Sequence, residues 1–261
     1  MVRATSRAFF SLLFPDDCRI CGRSLQEISR IPVCPDCLRQ PAPLDAEFFC
    51  VSCRTPFQNR FPLDDEGRCA LCRSGLRGFD AAYSFGFYDG VLRQLIHLYK
   101  YRKVRTLAGP LGDLLLRALP RDEGFDCVAP VPLHWTKRWQ RGFNQSDLLV
   151  RRVASHTGIP SARLLRHVRS TASQAGLSNT GRRRNVAAAF ECRLPDGAAG
   201  RKILLIDDVM TTGSTATACA LALKRAGAAR VSLLTLARAD RRFAFSLTAQ
   251  PAGNSIDGGR V

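Results

Sequence analysis

The sequence contains no apolar run near the ~20 residues that a bilayer-spanning helix requires, so no transmembrane segment is expected. It has no G-x-x-x-x-G-K-[ST] pattern, which excludes a P-loop nucleotide site. It has no internal repeat beyond its cysteine pairs. The opening stretch MVRATSRAFFSLLF is basic and then apolar, but Pro15-Asp16-Asp17-Cys18 follows where a secretory leader would have a small-residue cleavage site. A short helix packed on the body, in a cytoplasmic protein, is the expectation. Acids are also scarce: 22 Asp and Glu stand against 39 Lys and Arg, a net charge of +17. Such a surplus points to polyanionic partners, either phosphorylated ligands or nucleic acid. It is concentrated between Trp135 and Asn185, where eleven Lys or Arg accompany one acid, Asp147.

Cysteine, by contrast, is abundant and ordered. Eight of the 11 cysteines form C-x-x-C pairs, Cys18/Cys21, Cys34/Cys37, Cys50/Cys53 and Cys69/Cys72. A C-x-x-C knuckle turns two thiolates toward one ion, and two knuckles complete a tetrahedron around Zn²⁺. An odd cysteine total and the lack of an export signal argue against disulfides. One or two structural zinc ions are expected. Sequential pairing, the first four cysteines on one ion and the last four on another, is the first expectation, with a cross-braced arrangement and a single ion as alternatives. A closed four-thiolate site leaves no coordination position for chemistry, so its role is structural. Cys127, Cys192 and Cys219 lie in apolar surroundings and read as core.

After Gly78 the pattern alternates strand and helix. Strands are expected over Ala81 to Phe87, Cys127 to Val131, Leu164 to Val168, Lys202 to Ile206 and Val231 to Ala237. Helices are expected over Gly90 to Tyr101, Thr106 to Leu119, Phe143 to His156 and Ser214 to Ala226. The alternation predicts an α/β domain around a mostly parallel sheet flanked by helices. The expected division is a cysteine-rich module over 1–78, the α/β domain over 79–240, and a disordered tail over 241–261. Ser170 to Gly181 reads as a mobile loop.

The stretch ILLIDDVMTTGST, Ile203 to Thr215, is where chemistry is expected. In a parallel sheet, ligands bind beyond the carboxyl ends of the strands. Two adjacent carboxylates, Asp207 and Asp208, can receive the two hydroxyls of a vicinal diol. The turn Thr211-Thr212-Gly213-Ser214-Thr215 opens a helix, whose free N–H groups and hydroxyls suit a phosphate. A diol at one end and a phosphate at the other describe a ribose 5-phosphate.

This stretch resembles the phosphoribosyl pyrophosphate signature of type I phosphoribosyltransferases. The order of C-x-x-C knuckles, LIHLYKYR (Leu95 to Arg102), PVPLHWTKRWQRGFNQS (Pro130 to Ser146), RHVRSTASQAGLSNTGRRRNVAAAF (Arg166 to Phe190) and the signature is similar to the ComF family. The similarity covers nearly the whole chain up to Arg238. It implies a type I phosphoribosyltransferase fold behind a small zinc module, and an association with natural competence, the import of single-stranded DNA. It implies that Asp207 and Asp208 hold the ribose hydroxyls, that Val209 and Met210 link them to the loop, and that Thr211 to Thr215 hold the 5-phosphate. The turn Val131, Pro132 and Leu133 is expected to meet the pyrophosphate, with Arg138, Arg141 and Asn144 beside it. Arg166 and Arg169, on or beside the mobile loop with Gln174, and Lys100, on a helix with His97, are candidate groups for a reaction. That reaction is pentosyl transfer: pyrophosphate, bridged by Mg²⁺, leaves ribose C1 through an oxocarbenium-like state.

The signature also narrows what is expected. Phosphoribosyltransferases that use 6-oxopurines carry an acid where this chain has Thr211, so that substrate class is not expected. Residue 2 is Val, so the glutaminase chemistry of the amidophosphoribosyltransferases, which needs an N-terminal Cys, is not expected either. Two functional classes follow. One is a phosphoribosyltransferase acting on an unidentified acceptor. The other is a non-catalytic competence accessory that binds single-stranded nucleic acid, uses the fold for ligand sensing and works with the competence machinery. For the second, Trp135, Trp139 and Phe143 would stack bases among the arginines.

Overall fold

The structure is a computed structural model and describes residues 17–25, 30–74, 78–133, 139–168 and 189–239. The expected leading helix, the loop 170–181, the tail 241–261, and Trp135, Arg138, Arg169 and Gln174 lie outside the described residues. The elements in chain order are α1 (Pro35–Arg39), β1 (Phe48–Phe49), β2 (Pro56–Phe57), α2 (Ala70–Arg73), β3 (Ala81–Phe87), α3 (Gly90–Tyr101), a 3₁₀ turn (Arg105–Leu107), α4 (Ala108–Ala118), β4 (Cys127–Pro130), α5 (Gln145–Thr157), β5 (Leu165–His167), β6 (Phe190–Cys192), α6 (Pro195–Ala198), β7 (Lys202–Met210), α7 (Ser214–Arg225) and β8 (Arg230–Arg238).

Four strands form the central sheet in the order β3-β8-β7-β4, and every neighbouring pair is parallel. Parallel strands are covered on both faces, which is why β7 and β8 read as nearly unbroken apolar runs. Alternate residues feed two separate cores. Ile203, Leu205, Val231 and Leu233 pack on one face with Ala218, Cys219, Ala222 and Leu223 of α7. Leu204, Ile206, Leu234 and Leu236 pack on the other with Leu95, Ile96, Leu111, Leu115, Leu149 and Val153 of α3, α4 and α5.

Three differences from the expected elements have physical causes. Strand β7 does not stop at Ile206 but runs through the acids to Met210, because its pairing with β8 continues at Asp207↔Thr235, Val209↔Ala237 and Met210↔Arg238. Helix α5 begins at Gln145 rather than Phe143. Asn144 is its cap, accepting the Ser146 N–H at 3.2 Å and donating to the Val131 carbonyl at 3.2 Å. The helix expected from Thr106 is a 3₁₀ turn followed by α4, with Pro110 in the first turn of α4, where its missing N–H has no intrahelical partner to lose. The short strand β6 pairs antiparallel with β5; three residues after a polar segment show no periodicity to read. Of the three cysteines expected in the core, Cys127 and Cys219 are buried, whereas Cys192, at the end of β6, is only half-buried.

The cysteine-rich segment straddles the sheet. Three of its first four cysteines, Cys18, Cys34 and Cys37, join the core on the α3–α5 face, and its last four join the core on the α7 face. The segment crosses from one face to the other at β3, the edge strand. There the Leu44 N–H donates to the Phe85 carbonyl at 2.6 Å, and the Ala42 carbonyl lies over Gly86. A parallel edge strand left open would be a template for another chain, and this crossing covers it. A Cβ on Gly86 would meet the Ala42 carbonyl and a Leu92 methyl, each at 2.8 Å. Gly86→Ala is therefore expected to destabilise the protein by roughly 1–3 kcal/mol through overpacking, measured by urea denaturation.

Candidate functional site

The carboxyl end of β7 leads directly into the hydroxyl-rich turn and α7. Gly213 takes a left-handed conformation (φ 77°) just before α7 and is buried, a position that a side chain would strain. Being glycine, it offers α7 no side-chain cap. The turn organises itself around hydroxyls instead: Thr212 Oγ1 accepts the Ser214 N–H at 3.3 Å and lies 2.9 Å from Ser214 Oγ. The turn, together with Asp207, Val209, Met210, Ala216, Leu233 and Thr235, lines one cleft. Thr235, contributed by β8 and held 2.7 Å from Ser84 Oγ, was not among the residues expected there.

The two acids differ in setting. Asp208 is buried and bonded through Oδ1 to Lys100 Nζ at 2.8 Å. Asp207 Oδ1 accepts the Ser146 hydroxyl at 3.1 Å and the Asp208 N–H at 2.9 Å. Burial, and then the neighbouring Asp208 charge, push the Asp207 carboxyl up to about 7, although Lys100, the Asp208 N–H and Ser146 pull it down. Ser146 stands in the quoted RGFNQS stretch, but nothing in its spacing announces a contact with Asp207.

Of the other expected residues, Lys100 meets the acids and several are committed to other partners. The Val131 N–H donates to Ile206 and its carbonyl accepts from Asn144. Pro132 has no N–H, so Leu133 is the N–H donor that this turn could offer an anion. Arg141 bonds Gln145 Oε1 at 3.2 Å and stacks 5.1 Å from the Tyr101 ring centre. Asn144 is occupied as the cap of α5. Arg166 is exposed on β5 and pairs with Glu191 at 2.9 Å. Lys100 reaches the acid pair, but His97 turns to solvent and stacks on Tyr101 at 4.7 Å. Trp139 is 84% exposed, while Phe143 is buried against Tyr99 and beneath Arg105.

The eight paired cysteines gather as Cys18, Cys21, Cys34 and Cys37, and as Cys50, Cys53, Cys69 and Cys72, with the sulfurs of each group within 4.8 Å of one another. This is the sequential arrangement. Zn–S bonds of ~2.3 Å in a tetrahedron place the sulfurs about 3.8 Å apart. The Cys21–Cys34, Cys50–Cys72 and Cys53–Cys69 separations of 3.8, 3.7 and 3.6 Å match that edge, so both groups could hold zinc. Backbone N–H groups of Cys34 and Cys69 donate to Cys18 and Cys50 sulfurs at 3.3 Å, favouring the thiolates. Hydrogen bonds from Cys50, Cys69 and Cys72, with the charge of Arg238, hold Cys53 far below the ordinary thiol range. Arg238, the last residue of β8, is itself buried and donates to the Cys53 carbonyl at 2.7 Å and to Thr55 Oγ1 at 2.5 Å. The second group is thereby fastened to the carboxyl end of the sheet. Among the described residues, no helix is long and apolar enough to cross a membrane.

A four-stranded parallel sheet between helices, an acid pair near the end of an inner strand, and a hydroxyl-rich turn opening a helix define a type I phosphoribosyltransferase fold, here with two four-cysteine groups in front. The chain belongs to the ComF family. It is 32% identical over 229 residues to DNA utilization protein YhgH of Salmonella typhimurium, covering 85% of this chain and 89% of that one. It is 32% identical over 180 residues to Competence protein F of Haemophilus influenzae, covering 66% and 78%. With Competence protein ComFC of Bacillus subtilis the identity is 28% over 90% of this chain and 89% of that one. Among solved structures, a glutamine phosphoribosylpyrophosphate amidotransferase from B. subtilis overlaps 50% of this chain and 26% of its own, with a TM-score of 0.36 and 20% identity. No family model matches the chain.

Metal analysis of the purified protein is expected to find two zinc ions per chain. Only Cys21 among the eight paired cysteines is exposed. A chelator should therefore remove the first ion well before the second, giving two resolved phases of release.

Proposed function

We propose that the protein binds phosphoribosyl pyrophosphate in the cleft at the end of β7 and acts in DNA uptake. The observation that carries this reading is the cleft itself: a carboxylate, a left-handed glycine and the start of the 12-residue helix α7 line one concave surface. The 5-phosphate would lie on Thr211 to Thr215, where N–H groups of the first helical turn and the macrodipole favour an anion. The ribose hydroxyls would donate to Asp207 and Asp208. The pyrophosphate would extend toward Leu133 and the arginines Arg138 and Arg141, with Mg²⁺ supplied alongside it to offset its charge. Arg166 and Arg169 are candidates to approach the reacting diphosphate, Arg166 by exchanging Glu191 for the ligand. The names of the relatives, competence and DNA utilization proteins, support the cellular role. Transfer of the phosphoribosyl group to an acceptor is the reaction this arrangement serves.

Calorimetry with phosphoribosyl pyrophosphate and Mg²⁺ is expected to show saturable binding. Asp207→Asn and Thr212→Ala should each weaken it, the former by about 10- to 100-fold, the value of a hydrogen bond to a charged acceptor. No heat from the wild-type protein would overturn the reading.

A second reading, contact with single-stranded nucleic acid, is favoured by one surface. Trp139 is 84% exposed and Tyr101 55% exposed, with Arg141 against the Tyr101 ring. Aromatic faces stack bases while cations follow the backbone. Fluorescence titration with an oligothymidylate is expected to show binding that weakens steeply with salt. Trp139→Ala should lose roughly 1–3 kcal/mol of it.

A further inference from the structure

Lys100 is the next-to-last residue of α3, and its ammonium lies 2.8 Å from Asp208 Oδ1. Solvent reaches only 13% of the Lys100 side chain and 10% of the Asp208 side chain, so salt screens the pair little. The neighbouring residue holds it there. Tyr99 is wholly buried and donates its hydroxyl to the Gln145 carbonyl at 2.8 Å, pinning the last turn of α3 to the first residue of α5. The next residue of α5 is Ser146, the hydroxyl donor to Asp207. A single tether between two helices thus sets the donor on each acid.

Two carboxylates one peptide bond apart in a poorly solvated site do not both ionise without compensation. Ser146 and the Asp208 N–H bring dipoles to Asp207 but no charge. From α7, Cys219 faces Asp207 as a neutral thiol, held protonated by burial and then by the Asp207 charge. The contributions of β8 and the turn are hydroxyls. On α5, Asp147 is paired with Arg163 at 2.7 Å. The Tyr99 phenol is held protonated, its ionisation pushed up by burial and then by the charges of Asp208 and Asp147. Lys100 is the cation in contact with the acid pair among the described residues.

We propose that Lys100 is the positioning residue of the acid pair: its ammonium, held on Asp208, supplies the positive charge that offsets the two carboxylates, so that an incoming vicinal diol meets two acceptors rather than a proton shared between them. This rests on the ribose reading above, and the test separates the two. Carboxyl ¹³C NMR of the ligand-free protein is recorded across pH for wild type, Lys100→Met and Lys100→Arg, alongside thermal melts. Loss of an adjacent opposite charge raises a carboxyl by about 1–3 units. The acid pair of Lys100→Met should therefore titrate at least about one unit higher, and Lys100→Arg should restore the wild-type midpoint. In calorimetry with phosphoribosyl pyrophosphate and Mg²⁺, Lys100→Met should bind about fivefold more weakly at pH 7, the fall in ionised fraction when a midpoint of about 7 rises by one unit. It should recover toward wild type near pH 9, whereas a merely structural role would weaken binding at every pH. If Lys100→Met melts too low to study, Tyr99→Phe, which removes the tether while leaving the cation, should give a smaller upward shift of the same midpoint. Unchanged carboxyl midpoints in folded variants overturn the proposal whatever the ligand does, and so does a shifted midpoint with an unshifted affinity profile. A shifted midpoint in a protein that binds no phosphoribosyl pyrophosphate supports the charge-setting role and removes only the ribose reading.

Discussion

The parallel pairing of β7 with β8 continues past the apolar run and through both aspartates, and the site depends on that continuation. A strand that frayed at Ile206 would leave Asp207 and Asp208 in a loop, where water would solvate both. Held in register to Met210, the acids are kept in a partly dry setting, with Asp207 lining the cleft and Asp208 bonded to α3. The same register brings Thr235 into the cleft and carries Arg238 to the second cysteine group. One ladder of backbone hydrogen bonds therefore positions the candidate diol acceptors, a wall of the cleft and a bond to the cysteine-rich segment.

The cysteine-rich segment is more than an appendage in front of the sheet. Each four-cysteine group is packed into a different core, and the stretch between them covers the β3 edge. A segment with so little regular structure buries too few apolar side chains to order itself, and four-fold thiolate coordination of a metal would supply the missing constraint. The two groups differ in consequence. The first borders the helices that deliver Lys100 and Ser146 to the acids, and has an exposed cysteine, Cys21. The second is buried and bonded to the end of β8.

Much of this was legible in the linear order of residues. The C-x-x-C pairs are local, and a local spacing dictates how two sulfurs converge. Helix α3 has the expected bounds, Gly90–Tyr101, because its apolar residues recur at helical spacing against a sheet. The turn Thr211 to Thr215 is local too, since hydroxyls and one glycine between a strand and a helix have few other uses. What escaped was non-local. The Arg238–Cys53 bond joins residues 185 apart in sequence, and the Asn144 side chain is committed to its cap and to Val131 rather than to an anion. The arginine at 166, read as a cation for the ligand, lies against Glu191, which no spacing rule connects to it.

By itself, the sequence determined the class of the fold, the eight candidate sulfur ligands, and the pairing of acids with a hydroxyl-rich turn, because each of these is written within a few residues or in a simple period. Only the tertiary structure decided which groups meet: the sequential division of the cysteines, the placing of their groups on opposite faces of one sheet, and the choice of Lys100 rather than His97 as the side chain at the acids. Those outcomes depend on how helices seat against a twisted sheet, and side chains far apart in the chain become neighbours only when that packing is complete.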